Sequence, residues 1–294
     1  MILPHAMAAI LPSMSSRDIG LIAGQGHLPI LVARGIRAAG GRVRCVGLSG
    51  QFDAALPEEC DTFAQAGILR IGRWSRLLRK WNVDEAIMVG RVAKARMHDP
   101  WRLVRQLPDL RTLQVWYRRL RHDRRNAAVL AAVADELQRG GVTLIDSTTY
   151  IKDHVATTGA MGSVQPTSQQ LQDVEFGWPL LEGALDLGIG QSMVVRERDV
   201  IAVEAVEGTD EMIRRAGTLC HAKGWTLLKS ANDSHDRRAD VPTIGLATIT
   251  AMKAAGGTCI AVGTDRAILI DKPEILAAAN SAGIALVGVE HGQS

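Results

Sequence analysis

The sequence is poor in aromatic residues and cysteine, and it has no long apolar run. Three Phe, six Trp and two Tyr occur among 294 residues, and four cysteines lie far apart without a CxxC pair or a Cys/His ligand spacing. A zinc site is therefore not predicted. No stretch of about 18 apolar residues exists, which excludes a membrane-spanning helix. The apolar start lacks the preceding Lys or Arg of a secretory signal, so we expect a cytoplasmic protein with free thiols.

Charge is divided unequally along the chain. Residues 1–150 contain 22 Lys and Arg against 13 Asp and Glu, whereas residues 151–294 contain 12 against 18. A basic half joined to an acidic half indicates two domains with different tasks.

The opening pattern is typical of a parallel sheet. Residues 18–24 form a short apolar run that ends in glycine, 30–41 are amphipathic, and 42–50 form a second run. This strand, glycine turn, helix and strand predict a βαβ unit of a doubly wound α/β fold. We predict a doubly wound α/β domain over 17–158, a Gly/Ser/Pro/Thr-rich linker over 159–169, and a separate α/β domain over 170–290.

The first glycine turn and one arginine are candidate ligand contacts. Gly24, Gln25 and Gly26 separate the first strand from the first helix, where backbone N–H groups can bind a phosphate, although a plain tight turn explains them equally well. The third glycine of the dinucleotide fingerprint is missing, so nicotinamide binding is disfavoured. Arg91 follows a strand end, where α/β proteins bind ligands.

A basic run covers residues 70–125, with 16 Lys and Arg against five Asp and Glu. It lacks RNA-binding aromatic motifs, and its tryptophans sit where amphipathic helices need core anchors. We interpret it as a solvated helix face and predict no nucleic-acid partner.

Three carboxylates lie close together in the acidic half. Glu204 and Glu207 fall at a predicted strand end, and Asp210 falls at the start of the next helix. Such a turn can hold a hard cation such as Mg²⁺. The alternative is that Thr209 or Asp210 caps the helix and the glutamates are solvated.

The polar loop over 235–243 combines acids and bases. Arg237 and Arg238 can bind phosphate, Asp236 or Asp240 can bind metal or position water, and Lys229 adds a charge at the preceding strand end. The alternative is a solvated loop with an internal ion pair. With no thiol nucleophile pattern and no GxSxG motif, the set favours metal-assisted cleavage of a phosphate ester or anhydride.

Several segments resemble the LpxI-type UDP-2,3-diacylglucosamine pyrophosphohydrolases of lipid A synthesis. The segments with the most specific motifs are IAVEAVEGTDEMIRRAG (201–217) and DRRADVPTIGLATI (236–249), and the others are GLIAGQGHLPILVA (20–33), AIMVGRV (86–92), GIGQSMVV (188–195), LLK (227–229) and AGIALVG (282–288). The resemblance covers most of residues 17–290. It implies a Rossmann-like first domain and a separate α/β second domain, with the substrate cleft between them.

The resemblance implies Mg²⁺- or Mn²⁺-dependent hydrolysis of UDP-2,3-diacylglucosamine to UMP and 2,3-diacylglucosamine 1-phosphate (lipid X), with water attacking the phosphorus next to the sugar. The essential aspartate matches Asp240, in the tighter D-x-P-T segment, or else Asp236. Glu204, Glu207 and Asp210 are the expected metal ligands. The expected substrate contacts are Gly24, Gln25, Gly26, Arg91, Gln191, Thr209, Lys229, Arg237, Arg238 and Thr243.

A homodimer and peripheral contact with the inner membrane are also expected. The sequence departs from the family pattern at Asn232-Asp233 with His235, and at Gly263 where the family has Glu. These departures leave open a second hypothesis, a lipid-sugar-phosphate or nucleotide-sugar binding protein without hydrolysis. A nucleotide-dependent oxidoreductase would rest on the glycine turn alone.

Overall fold

A computed structural model describes residues 17–92, 108–117, 121, 126–232, 237–238 and 241–290. Asp236 and Asp240, the two candidates for the essential aspartate, lie outside these residues. Among the described residues no helix is both long and apolar enough to cross a bilayer. All four cysteines are free thiols, and burial raises the pKa of Cys259 to about 12.

The first domain is built on a five-stranded parallel sheet with the order β3-β2-β1-β4-β5. Its strands are β1 (Asp18–Ala23), β2 (Arg42–Leu48), β3 (Thr62–Ala66), β4 (Glu85–Val89) and β5 (Thr143–Leu144). Its helices are α1 (Leu28–Ala38), α2 (Ile71–Lys80), α3 (Leu110–Val115) and α4 (Asn126–Arg139). The chain adds β2 and β3 on one side of β1 and then adds β4 and β5 on the other side. This is the doubly wound arrangement predicted from the sequence.

The second domain contains a six-stranded mixed sheet with the order β6-β13-β11-β9-β7-β8, and a two-stranded ribbon of β10 and β12. Its strands are β6 (Gly159–Ala160), β7 (Ser192–Arg196), β8 (Asp199–Val203), β9 (Trp225–Lys229), β10 (Thr243–Ile244), β11 (Gly257–Gly263), β12 (Ile268–Leu269) and β13 (Ala285–Val289). Its helices are α5 (Ser168–Asp186), α6 (Thr209–Leu219), α7 (Leu246–Ala255) and α8 (Lys272–Ala282). The α/β class and the two-domain layout are therefore confirmed.

The segment predicted as a linker, 159–169, belongs to the second domain instead. Its start forms β6, which pairs antiparallel with β13. Its end opens α5 through a capping box, in which Thr167 Oγ1 accepts from Gln170 N at 3.2 Å and Gln170 Oε1 accepts from Thr167 N at 2.8 Å. Helix α5 consequently begins at Ser168.

The two domains share apolar packing. Ile268 of β12 is fully buried in one cluster with residues of the first domain, among them Leu21 of β1, Ile30 of α1 and Ile151. Val155 forms an antiparallel bridge with Ile268. Since interior contacts of this kind resist sliding, the packing holds the two sheets in a defined relation.

Candidate functional site

The glycine turn and Arg91 lie together at the switch point of the first sheet. Gln25 N donates to Arg91 O at 2.8 Å, and Arg91 N donates to Gln25 O at 2.9 Å. A Cβ on Gly24 would lie 2.8 Å from the Gly90 carbonyl carbon, so Gly24 permits the turns after β1 and β4 to touch. The sequence-predicted residues Gly24, Gln25, Gly26 and Arg91 thus form one backbone-rich surface at the carboxyl edge of the sheet.

A buried polar cluster occupies the corresponding edge of the second sheet. Lys229 Nζ donates to Thr209 Oγ1 at 2.7 Å, and Thr209 Oγ1 donates to Glu204 Oε2 at 3.1 Å. Ser192 Oγ donates to the same Glu204 oxygen at 2.5 Å. Lys229 is 5% exposed, Glu204 6% and Ser192 0%. We call these four residues the Lys229 cluster.

Sheet register brings the Lys229 cluster together. Ser192 begins β7 opposite Lys229, the last residue of β9, while Glu204 follows β8 and its N–H donates to Ser192 O at 2.9 Å. Thr209 opens α6 after Gly208, which has a φ of 87° and is the N-cap. The predicted cap, Thr209 or Asp210, is therefore wrong, and the Thr209 hydroxyl serves the cluster instead.

A buried lysine of this kind is a candidate binding site for an anion. A cation removed from water needs polar partners, and the cluster supplies a hydroxyl and, through it, a carboxylate. The N-terminus of α6 adds the favourable end of its dipole for a negative group. Together these features suit a phosphate at the edge of the sheet.

The three predicted metal ligands do not form one metal site. Glu207 Oε1 accepts from Arg215 Nη2 at 2.7 Å, and its own backbone N–H together with Arg215 lowers the pKa of Glu207. Asp210 is exposed in the first turn of α6, and Glu204 serves the Lys229 cluster. Among the described residues no three His, Cys, Asp or Glu side chains are placed to hold a metal. Metal binding by Glu204, Glu207 and Asp210 stays a prediction that their contacts do not support.

Arg237 joins the two domains. Its Nε donates to Asp146 Oδ2 at 2.6 Å, its Nη1 to Asp265 O at 2.5 Å and its Nη2 to Thr148 Oγ1 at 3.2 Å. Ser147 Oγ donates to Arg237 O at 2.9 Å. We call Arg237 with its partners Asp146, Thr148 and Asp265 the clasp. Its contacts are structural, and the predicted role of Arg237 as a phosphate ligand has no support in this arrangement.

Burial alone would raise the pKa of Asp146, but hydrogen bonds from Thr148 and the Arg237 guanidinium outweigh that effect and lower it. The ionised form of Asp146 is thus the form that the clasp holds.

The clasp also shows how the sheets face one another. Asp146 follows β5 of the first sheet, and Asp265 follows β11 of the second. Lys229 pairs with Val262, three residues before Asp265. The Lys229 cluster therefore lies on the edge of the second sheet that is turned toward the first domain, where ligands of α/β proteins bind.

The remaining predicted contacts are spread around this edge. Gln191 precedes β7, its O accepts from Ser230 N at 3.1 Å, and its buried Oε1 has no hydrogen-bond partner among the described residues. Arg238 is half-buried beside the clasp, and Thr243 begins β10. Sequence reasoning missed Ser192; its position as the first residue of the hairpin strand was the available signal.

Comparisons with known proteins agree on one family. A family model described as the LpxI N-terminal domain matches residues 18–154, and one described as the LpxI C-terminal domain matches residues 157–287. The chain is 30% identical over 282 residues to the UDP-2,3-diacylglucosamine pyrophosphatase LpxI of Caulobacter vibrioides, covering 93% of this chain and 98% of that protein.

Proposed function

Because the chain belongs to the LpxI family, we propose that it hydrolyses the pyrophosphate bond of UDP-2,3-diacylglucosamine in lipid A synthesis. The products are UMP and 2,3-diacylglucosamine 1-phosphate. The name of the Caulobacter relative supports the substrate and the class of reaction.

One observation carries the proposal most directly: a buried ammonium, Lys229, lies at the sheet edge turned toward the other domain. A pyrophosphate carries about two negative charges, which must be offset before water can attack phosphorus. Lys229 supplies one positive charge there, and the N-terminus of α6 supplies partial positive charge.

The residues divide the work by position. Lys229 binds a phosphoryl oxygen, and Thr209 with Glu204 holds the ammonium in place. The backbone surface of Gly24, Gly26 and Arg91 faces the ligand from the first domain. In our proposal Asp240, the first match to the family's essential aspartate, positions the attacking water.

Metal dependence is a separate part of the proposal. A Mg²⁺ or Mn²⁺ ion would neutralise pyrophosphate charge when bound. The described carboxylates do not form its site, so we expect the substrate phosphates to be a large share of its ligands, as is usual for Mg²⁺. Chelator treatment should abolish hydrolysis and readdition of Mg²⁺ should restore it; unchanged turnover in chelator would refute metal dependence.

Exposed apolar side chains lie beside the cluster. A Cβ on Gly190 would lie 2.0 Å from Glu204 O, so the turn after α5 touches the turn after β8. Leu187 and Ile189 on the first turn and Val206 on the second are exposed. We propose that acyl chains cover this surface, since burying it removes apolar area from water.

Peripheral contact with the cytoplasmic face of the inner membrane is also part of the proposal, because the substrate carries two acyl chains. A homodimer is part of the proposal as well.

A non-hydrolytic binding protein is the second candidate. Gly263 favours it, because the family has Glu at this position and glycine supplies no carboxylate to the sheet edge. The packing there is close, since a Cβ on Gly263 would lie 2.3 Å from Ser230 Oγ. Incubation with UDP-2,3-diacylglucosamine and Mg²⁺ separates the candidates. Release of UMP establishes hydrolysis, whereas saturable binding without UMP establishes the second candidate.

A further inference from the structure

Helices α2 and α3 form a surface of the first domain that the proposed reaction does not use. Arg70, directly before α2, and Arg73, Arg76 and Lys80 of α2 line a groove that also includes Pro108 at the approach to α3. Arg73, Arg76 and Lys80 are exposed. Positions 73, 76 and 80 lie three and four residues apart, so they share one side of α2.

Apolar side chains stand beside the groove on α3 and the turn that follows it. Leu110 is 84% exposed, Leu113 48% and Tyr117 68%. Their spacing of three and seven residues puts them on one side of the helix, whereas Val115 on the other side is buried. Large apolar side chains clustered next to charge mark an interaction surface. We call the basic groove and these three side chains the α2–α3 surface.

The two helices are fixed to one another. Ile71 N donates to Thr112 Oγ1 at 3.2 Å, and Arg73 N donates to Asp109 Oδ2 at 3.2 Å. Asp109 Oδ1 caps α3 by accepting from Thr112 N at 2.9 Å. Among the described residues that line the groove, Asp109 is the acidic one, and backbone N–H groups engage it. These described residues therefore carry a net positive charge.

We propose that the α2–α3 surface docks the protein on an anionic lipid bilayer, with Leu110, Leu113 and Tyr117 entering the interface and the α2 cations contacting lipid phosphates. Basic residues next to a membrane are attracted by its negative surface, and aliphatic and tyrosine side chains partition into the headgroup boundary. This inference takes from the proposed function only that the substrate is a membrane lipid.

Two other occupants fit less well. A second copy meeting the same surface in an isologous contact would place the α2 cations against each other, which is unfavourable. Single-stranded nucleic acid stacks its bases on open aromatic faces. Leu110 and Leu113 have none, Trp116 is 46% exposed, and Arg121 Cζ lies 5.2 Å from the ring centroid of Tyr117.

Vesicle flotation tests the proposal with the full-length protein and no nucleotide sugar. The probes are vesicles of phosphatidylcholine alone and of phosphatidylcholine with phosphatidylglycerol. The wild type should float only with the anionic vesicles and should be released as salt shortens the Debye length. Arg73→Glu and Leu110→Ser should each weaken binding about fivefold or more.

Matched controls separate the surface from its charge and hydrophobicity alone. Arg79→Glu makes the same charge change on α2 but lies toward Gly141 and outside the groove. Leu219→Ser removes an exposed leucine at the end of α6. Both should bind like the wild type, and all four variants should hydrolyse detergent-dispersed substrate normally, so failure of docking is distinct from failure of hydrolysis.

The proposal is overturned if the wild type ignores anionic vesicles, or if Arg73→Glu and Arg79→Glu bind them equally. It is also overturned if Leu110→Ser instead converts a dimer to a monomer in light scattering, since the surface then belongs to a second copy. Preferential binding of single-stranded RNA that Arg73→Glu abolishes would equally overturn it.

Discussion

Ser192 lies directly opposite Lys229 in the antiparallel pairing of β7 with β9. This register places a hydroxyl and an ammonium at the same sheet edge, and Thr209 and Glu204 complete the set. A lysine buried in this way is costly to keep unless its charge is used. Its position is the physical basis for placing phosphate chemistry there.

The hydroxyl of Thr209 should matter more for activity than the size of the Thr209 side chain. Thr209→Val keeps the shape but removes the group shared by Lys229 and Glu204, so we expect kcat/KM to fall about 10- to 100-fold through misplacement of the ammonium. Stability should fall by about 1–3 kcal/mol because buried polar atoms lose a partner. Thr209→Ser retains the hydroxyl and should keep most activity. Equal loss in both variants would contradict a role for the hydroxyl.

Acid should weaken the clasp between the domains. Because the pKa of Asp146 is lower in the folded chain than its usual value of 3.8, its ionised form stabilises the fold above about pH 4 and this contribution is lost as the pH falls further. Urea unfolding of the wild type and Asp146→Asn should differ at pH 6 and converge toward pH 3. Asp84→Asn, at an exposed position, is the control of equal charge change. A difference that grows in acid would contradict the assignment.

Sequence patterns predicted the elements whose signal is local. The buried run of β1, the glycine turn and α1 follow one another as expected. The hairpin of β7 and β8 is equally local, because it turns at Glu197 and Arg198, both with positive φ. Strand β3 was missed because its residues are mostly half-buried at the sheet edge, so no continuous apolar run marks it.

The site was predicted in part, for the same reason. Lys229 and Thr209 were identified at element ends, but the sharing of Glu204 by Ser192 and Thr209 depends on strand register. The clasp joins Arg237 to a carboxylate 91 residues away. Long-range pairings of this kind leave no trace in local periodicity.

The two candidate aspartates should differ in effect. Asp240→Ala should preserve the fold and reduce hydrolysis at least about 100-fold, as expected for loss of a group that acts on the attacking water. Asp236→Ala should be milder, because Asp236 lies outside the D-x-P-T segment. Thermal unfolding and kcat measured on both variants show which aspartate is essential. Near wild-type turnover by Asp240→Ala would contradict the assignment of Asp240 as that residue.

Isotope labelling should locate the attacked phosphorus. Hydrolysis in ¹⁸O-water should place the label in 2,3-diacylglucosamine 1-phosphate and leave UMP unlabelled, since water is expected to attack the phosphorus next to the sugar. Mass spectrometry of the two products reads this out. Label in UMP would mean attack at the other phosphorus and would require the ligand to lie in the opposite orientation.

The most direct test of the account is kcat/KM of Lys229→Met for UDP-2,3-diacylglucosamine, measured beside the wild type. Methionine fills the buried position without charge, so folding should persist, and removing a buried neutralising charge should lower kcat/KM at least about 100-fold. Lys229→Arg, which retains the charge in a bulkier group, should keep part of that activity. A folded Lys229→Met variant that releases UMP at the wild-type rate would contradict the claim that the Lys229 cluster is the reactive edge of the molecule.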